Sequence, residues 1–446
     1  MAQQGAETGL GRLLHSRRWL LVAPTLLFLW IIGQIDKTNV SLIIANDAFI
    51  KELNLAGHNA ELGGLMGYFL AGYGVAIFFW GFLVDRFGPR LCAIVGILCW
   101  GTFLFLSSRT TSIGELLALR TLLGVAEGNL WPVANALTNR WFPVHEHSRA
   151  QAFWITGSTL GTAAGVPIVT RLILGVGWRG ALAFLALLSL LPIVLLFFIR
   201  NRPRDLAGVS IQELREIESS DYAGSVVKPI RFLELFQRKA FWLLAACQCV
   251  SATMIFTLVQ WTPRFLTTVR HVPFRSMGNL ITIGYILASL LTFLVGYIAD
   301  RTMQRALAGM WVCLLFALAL LPGAFLFPPV WSALLLSTLI VAAPVTAAVN
   351  GALLHTMVQP ETVARGTGFY TGLGNALSGI GPAAFGFFIT QLGGQYWGGF
   401  LYLSLVSALG AICYVALHQM SHLAVPAAAL AAPDPQSPLP SSEGLG

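Results

Sequence analysis

Charge is what this chain has least of. Only 10% of its 446 residues are Asp, Glu, Lys or Arg, against about 25% in a soluble domain. That scarcity, with 56% hydrophobic residues and a mean hydropathy of +0.73, excludes a soluble globular fold and leaves a polytopic membrane protein. Cysteine is sparse as well. The six present (Cys92, Cys99, Cys247, Cys249, Cys313, Cys413) all fall inside apolar stretches, which excludes a disulfide framework and a thiolate metal site. The eight histidines show no ligand spacing, so no metal is expected. A phosphate-cradling glycine loop and a nucleophile–base pair are missing too, which argues against an enzyme. The net charge of +8 does not point to nucleic acid, because the basic residues are scattered through short loops between apolar runs.

What is present is a succession of apolar runs near the roughly 20 residues that a bilayer requires. Twelve are expected, at about 19–45, 62–84, 91–108, 114–140, 150–172, 180–199, 240–266, 278–299, 306–326, 329–353, 366–391 and 397–418. The organisation that follows is a basic lead (1–18), six spans (19–200), a polar linker (201–239), six more spans (240–420) and a tail (421–446) rich in Ala, Pro and Ser that should be disordered. The run after Trp19 reads as a retained first helix rather than a cleaved leader. The linker contains QELREIE, a candidate short surface helix.

Lys and Arg concentrate on one side: Arg12, Arg17, Arg18, Arg86, Arg90, Arg140, Arg149, the linker, Arg301, Arg305 and Arg365. The positive-inside rule therefore puts both termini in the cytoplasm. The outer loops hold Lys51, Arg109, Arg171, Arg179, Arg264, Arg270 and Arg275. These are either interfacial anchors or a positive vestibule that concentrates anions.

The chain also repeats itself. GFLVDR at 81–86 returns as GYIADR at 296–301, and Arg149, Phe153, Trp154 and Gly165 return as Arg365, Phe369, Tyr370 and Gly381 at nearly the same offset. A duplicated six-helix unit is implied, with a site at the midplane between the halves.

Two charged groups interrupt the apolar runs. In the fourth span, Arg120 and Glu127 are seven residues apart, so they share a helix face about 10 Å apart along the axis. In the first span, IDKTNVS places Asp36 beside Lys37, pointing about 100° apart. Ionisable residues at membrane depth are costly and mark functional sites. The second-half counterparts of Arg120 and Glu127 fall near Leu336 and Ala343, so the charged machinery belongs to the first half. A carboxyl that is desolvated but faces a movable cation can bind a proton in one state and release it in another. Glu127 with Arg120, and Asp36 with Lys37, supply both elements. A carboxylate substrate competing for Arg120 would free Glu127 to take a proton.

On the turn after the second span stands G-x-x-x-D-R-x-G-x-R: Gly81, Asp85, Arg86, Gly88 and Arg90, with a weaker copy at Gly296, Asp300, Arg301 and Arg305. Asp85 and the arginines are placed to pair across the short loop. This resembles the loop motif of the major facilitator superfamily, which implies an all-α fold of twelve transmembrane helices and a cytoplasmic latch on one gate. The first-span motif, R-x6-E in the fourth span and WFP at 141–143 narrow the resemblance to the anion:cation symporter family. Its bacterial members import sugar acids and other organic carboxylates with protons. The resemblance implies Asp36 and Glu127 for the proton and Lys37 and Arg120 for the anion; the family usually carries Arg where this chain has Lys37.

Gly157, Gly161 and Gly165, and again Gly368, Gly372 and Ala376, recur every four residues as close-packing ridges. Tyr73, Trp154, Ser158, Gln260, Tyr370 and Asn375 are candidates to line the cavity, with Asn350 behind them. The expectation is a proton-coupled importer of a small organic anion, without cofactor, working as a monomer in a bacterial inner membrane. An exporter or exchanger of another anion, or a non-transporting receptor on the same scaffold, are the alternatives.

Overall fold

The computed structural model describes residues 16–143, 146–221, 236–287, 305–357 and 360–423. The described residues are helical throughout, with no strand among them. After a single π-turn at Arg18–Val22 come α1 (Ala23–Ile43), the short α2 (Asp47–Glu52), α3 (Asn59–Phe87), α4 (Pro89–Ser107), α5 (Ile113–Glu127), α6 (Leu130–Trp141), α7 (His147–Leu188) and α8 (Leu191–Phe197). The linker forms α9 (Ile211–Asp221). Then follow α10 (Lys239–Thr268), a helical run at 274–287, α11 (Arg305–Phe325), α12 (Pro329–Met357), α13 (Pro360–Ser378), α14 (Ile380–Gln391) and α15 (Trp397–Leu423).

Among the described residues, eight helical segments are long and apolar enough to cross a membrane, fewer than the twelve runs counted in the sequence. The difference has local causes. The segment Arg149–Phe197 holds two runs in one, because α7 bends at Gly177, whose φ of 73° suits glycine. The fourth run is split into α5 and α6 and carries charges. Pro132 has no N–H for the carbonyl four residues back, so the ladder breaks near Gly128 and Asn129. The tenth run contributes the shorter apolar helix Pro329–Ile340, and most of the eighth lies outside the described residues.

Within the first half, the glycine ridge packs as expected. Gly157, Gly161 and Gly165 of α7 lie against Leu27–Trp30, Ile31–Gln34 and Ile35–Thr38 of α1, too close to admit a side chain. This seats the charged stretch of α1 against α7. The described part of the linker, α9, is docked. Arg18 is buried and reaches Glu146 at 2.9 Å, Glu216 at 2.9 Å and Glu213 at 3.5 Å, while Ser16 donates to Glu213 at 2.7 Å.

The two halves meet along α3, with α13 and α14 opposite. Gly63 lies against the Pro382 carbonyl, Gly67 against Gly379, and Gly74 against Gly372 and Ala376. Cross-half hydrogen bonds collect at the end of the bundle away from the linker. There Gln260 donates to the Leu62 carbonyl at 2.9 Å, Arg264 to Ile44 at 2.6 Å and Asn59 to Thr390 at 3.4 Å. Toward the linker end, Val75, Phe78 and Phe79 face Gly368, Phe369 and Leu373 across an open groove. Among the described residues the halves are thus joined at the far end, with this groove between them toward the linker end.

Candidate functional site

Four ionisable side chains converge in the first half: Asp36 and Lys37 from α1, Arg120 and Glu127 from α5. All are buried, Glu127 fully so and Arg120 2% exposed. Their pairing corrects the sequence expectation. Lys37 Nζ sits 2.8 Å from Glu127 Oε2, and no ion pair joins Arg120 to Glu127 among the described residues. Arg120 Nη2 instead donates to Asn39 Oδ1 at 2.7 Å. Asn39 Nδ2 donates in turn to Asp36 Oδ1. Trp100 of α4 donates to the other Asp36 oxygen at 2.9 Å. Two cations and two carboxylates thereby share one site, with Asp36 within electrostatic reach of both Arg120 and Glu127.

The exchange of partners has a geometric reason. Residues seven apart on a helix are about 10 Å apart along the axis, whereas a lysine on a neighbouring helix spans the gap directly. Lys37 also lies over the rings of Tyr73, 4.9 Å from the centroid, and Phe69, at 5.9 Å. The Tyr73 ring is itself stacked on Phe69. A cation held by a carboxylate and two aromatic faces is offset on every side that these groups cover.

The other expected residues divide. Tyr73 joins the quartet through Lys37. Trp154 does not: it stacks on Trp30 at 5.0 Å, meets Trp131 at 5.5 Å and donates to Thr138 at 3.2 Å. Ser158 is half-buried one turn further on. Gln260 bonds across the far-end seam. Tyr370 and Asn375 are buried on α13, on the second-half side, and bond to none of the four. Asp300 and Arg301 lie outside the described residues.

The loop motif also differs in detail. Asp85 and Arg86 are exposed, and Asp85 forms no ion pair among the described residues. Gly88 takes a φ of 86° and abuts Asn201, whose side chain accepts from the Arg90 N–H at 3.0 Å. Arg90 Nε donates to the Leu196 carbonyl at 2.9 Å. The motif ties the α3–α4 turn to the end of α8 through glycine and arginine, not through its aspartate.

Sequence reasoning missed Asn39 and Trp100. Asn39 had a signal, since it stands three residues after Asp36 in the quoted stretch. Trp100 had none, because only helix packing brings α4 against α1. Asn129 was also missed: it donates to the Cys92 carbonyl at 2.9 Å and fills the space beside Gly96, joining the α5–α6 break to α4.

The chain is 28% identical over 292 residues to the "Probable L-galactonate transporter" of Escherichia coli (strain K12), an alignment covering 64% of this chain and 62% of that protein. It is 27% identical over 406 residues to the "Hexuronate transporter" of Bacillus subtilis (strain 168), covering 88% and 94%. Among solved structures, a bacterial homolog of the human lysosomal transporter Spinster, inward-facing and unoccupied, matches with a TM-score of 0.65 at 17% identity, over 90% of this chain and 96% of that one. A D-xylose–proton symporter matches with 0.65 at 16%, over 88% and 95%. These two matches bear on the fold alone. A family model matches residues 26–346, and the chain belongs to the Major Facilitator Superfamily, a family of transporters.

Proposed function

We propose that the protein imports an organic carboxylate, such as a sugar acid, together with protons, by rocking of its two halves. The observation that carries this reading is the buried pair of linked contacts, Lys37–Glu127 and Arg120–Asn39–Asp36. Arg120 is the only cation of the quartet without a direct carboxylate partner, and so the one an arriving carboxylate can claim with the least loss. Its capture withdraws Arg120 from Asn39 and leaves Asp36 to Trp100 and Asn39. Lys37 is then drawn toward the second negative charge. A buried carboxylate deprived of its cation takes up a proton rather than stay charged. Anion and proton binding then favour each other, as symport requires.

In this reading both termini face the cytoplasm of a bacterial inner membrane, and a single chain suffices. The joined far end then faces outward and the groove faces in. The printed names of the galactonate and hexuronate relatives support a sugar acid as the substrate class.

The test is uptake of labelled galactonate and glucuronate into proteoliposomes, with and without an inward proton gradient. Gradient-driven accumulation is expected. Counterflow that ignores the gradient would reassign the protein as an exchanger, and binding without flux would reassign it as a receptor.

A further inference from the structure

The arginines at the far end do not all have the same occupation. Arg179 is 2.8 Å from Glu52. Arg264 donates to the Ile44 carbonyl and Arg270 to the Phe327 carbonyl. Arg171 and Arg275 differ: neither forms an ion pair among the described residues, and both line a recess of about 80 Å³ together with Pro167, Thr170 and Asn279. The recess straddles the seam. Pro167, Thr170 and Arg171 come from α7 in the first half, Arg275 and Asn279 from the run 274–287 in the second.

Its lining is a donor set without an acceptor charge. Arg171, Arg275 and Asn279 line it from the exposed side and Thr170 from the buried side, and among the described residues no carboxylate lines it. Thr170 is 2% exposed and its hydroxyl has no hydrogen-bond partner. That hydroxyl faces the neighbouring half, where a Cβ on Gly278 would meet it at 2.8 Å. A buried hydroxyl is rarely left unpartnered without a reason. Planar guanidinium groups grip a carboxylate through paired N–H bonds, and the volume suits such a group rather than a whole sugar acid.

We infer that this recess is a second anion site, one that takes a carboxylate at the far-end seam. Arg171 and Arg275 come from opposite halves and carry like charge. One bound carboxylate supplies a shared counter-charge. By linkage, it favours the joined far end. The site stands on its own geometry; only the identity of its natural occupant as substrate rests on the transport reading above.

The experiment uses the full chain in detergent and reads its melting temperature during titration with potassium galactonate and, separately, potassium chloride. The central site is first disabled by Arg120→Ala. Galactonate is expected still to raise the melting temperature, by about 2 °C or more near saturation, and to lose that effect when Arg171→Gln and Arg275→Gln are added. An equal response to chloride would support the site as a general anion site; a response to chloride alone, or to neither salt, would overturn the proposal. If Arg120→Ala does not fold, the same titration of the otherwise wild-type chain should show a second, weaker phase that the two Gln substitutions remove, and its persistence would count equally against the site. Failure of proton-driven uptake leaves these outcomes untouched.

Discussion

The centres of the two halves solve the same packing problem with different chemistry. In the first half the interior polar groups are charged: Asp36, Lys37, Arg120 and Glu127. In the second they are neutral. Tyr414 donates to Asn350 at 2.6 Å, and Asn350 donates to Gln248 at 2.9 Å. Where Arg120 has its counterpart, the second half has Leu336, fully buried in the core. A neutral network needs only its hydrogen bonds to be stable in an apolar interior. A charged one stays balanced only while every partner is present, because an uncompensated buried charge costs about 3–5 kcal/mol. In the proposed transport, the charged centre of the first half is therefore the one that responds to an arriving anion.

Substitutions should separate the two centres in order of size. Arg120→Ala is expected to have the largest effect, a loss of anion affinity of at least about 100-fold, the order that a missing buried charge partner implies. Equilibrium binding of labelled galactonate reads it directly, and normal affinity would remove Arg120 from the anion site. Glu127→Gln should preserve counterflow exchange and reduce gradient-driven accumulation to the level reached without a gradient. Unchanged accumulation would show that the Lys37–Glu127 pair holds structure only. Asn39→Ala cuts the bridge between Arg120 and Asp36 and is expected to lower uptake about tenfold, near the lower end of what a hydrogen bond to a charged group contributes. Trp100→Phe, which removes a single donor to Asp36, should do less and shift the pH profile of uptake.

In the second half, Tyr414→Phe is expected to lower stability by about 1 kcal/mol while the pH dependence of uptake stays as it is. A changed pH profile there would abolish the contrast between the halves. The smallest effect belongs to the far-end surface. The Arg179 guanidinium, with the Trp178 N–H, holds the Glu52 carboxyl below its ordinary range. A depressed carboxyl stabilises the fold above its unfolded value, and that contribution is lost as pH falls through the lower folded value. Glu52→Gln should thus melt slightly below the wild type at pH 7, and the gap should close as pH falls below the ordinary glutamate range. An exposed pair is worth about 0–1 kcal/mol, so the gap should be a degree or two at most.

Much of the molecule was legible in its residues. Apolar runs have one physical use at that length, so the spans could be counted. The glycine ridge of α7 could be assigned to packing because spacing of four keeps it on one face. Even the presence of a buried charged site was plain, since Arg120 and Glu127 have no polar surface to reach from the middle of an apolar run. The break between the fifth and sixth runs was legible too, since their bounds at 172 and 180 flank Gly177, where the positive φ makes the bend. The role of Gln260 was not, since a polar residue near a helix end does not announce it. It lies in the seam because α10 passes Leu62.

The sequence by itself determined that this is a helical membrane protein of duplicated design, with the charged pairs Asp36–Lys37 and Arg120–Glu127 of its spans placed in the first half. Those are properties of composition, period and repeat, which are carried residue by residue along the chain. Only the tertiary structure decided the partners. Lys37 rather than Arg120 holds Glu127, Asn39 carries Arg120 to Asp36, and Trp100 completes the Asp36 contacts, because side chains pair by distance across helices and not by order along them.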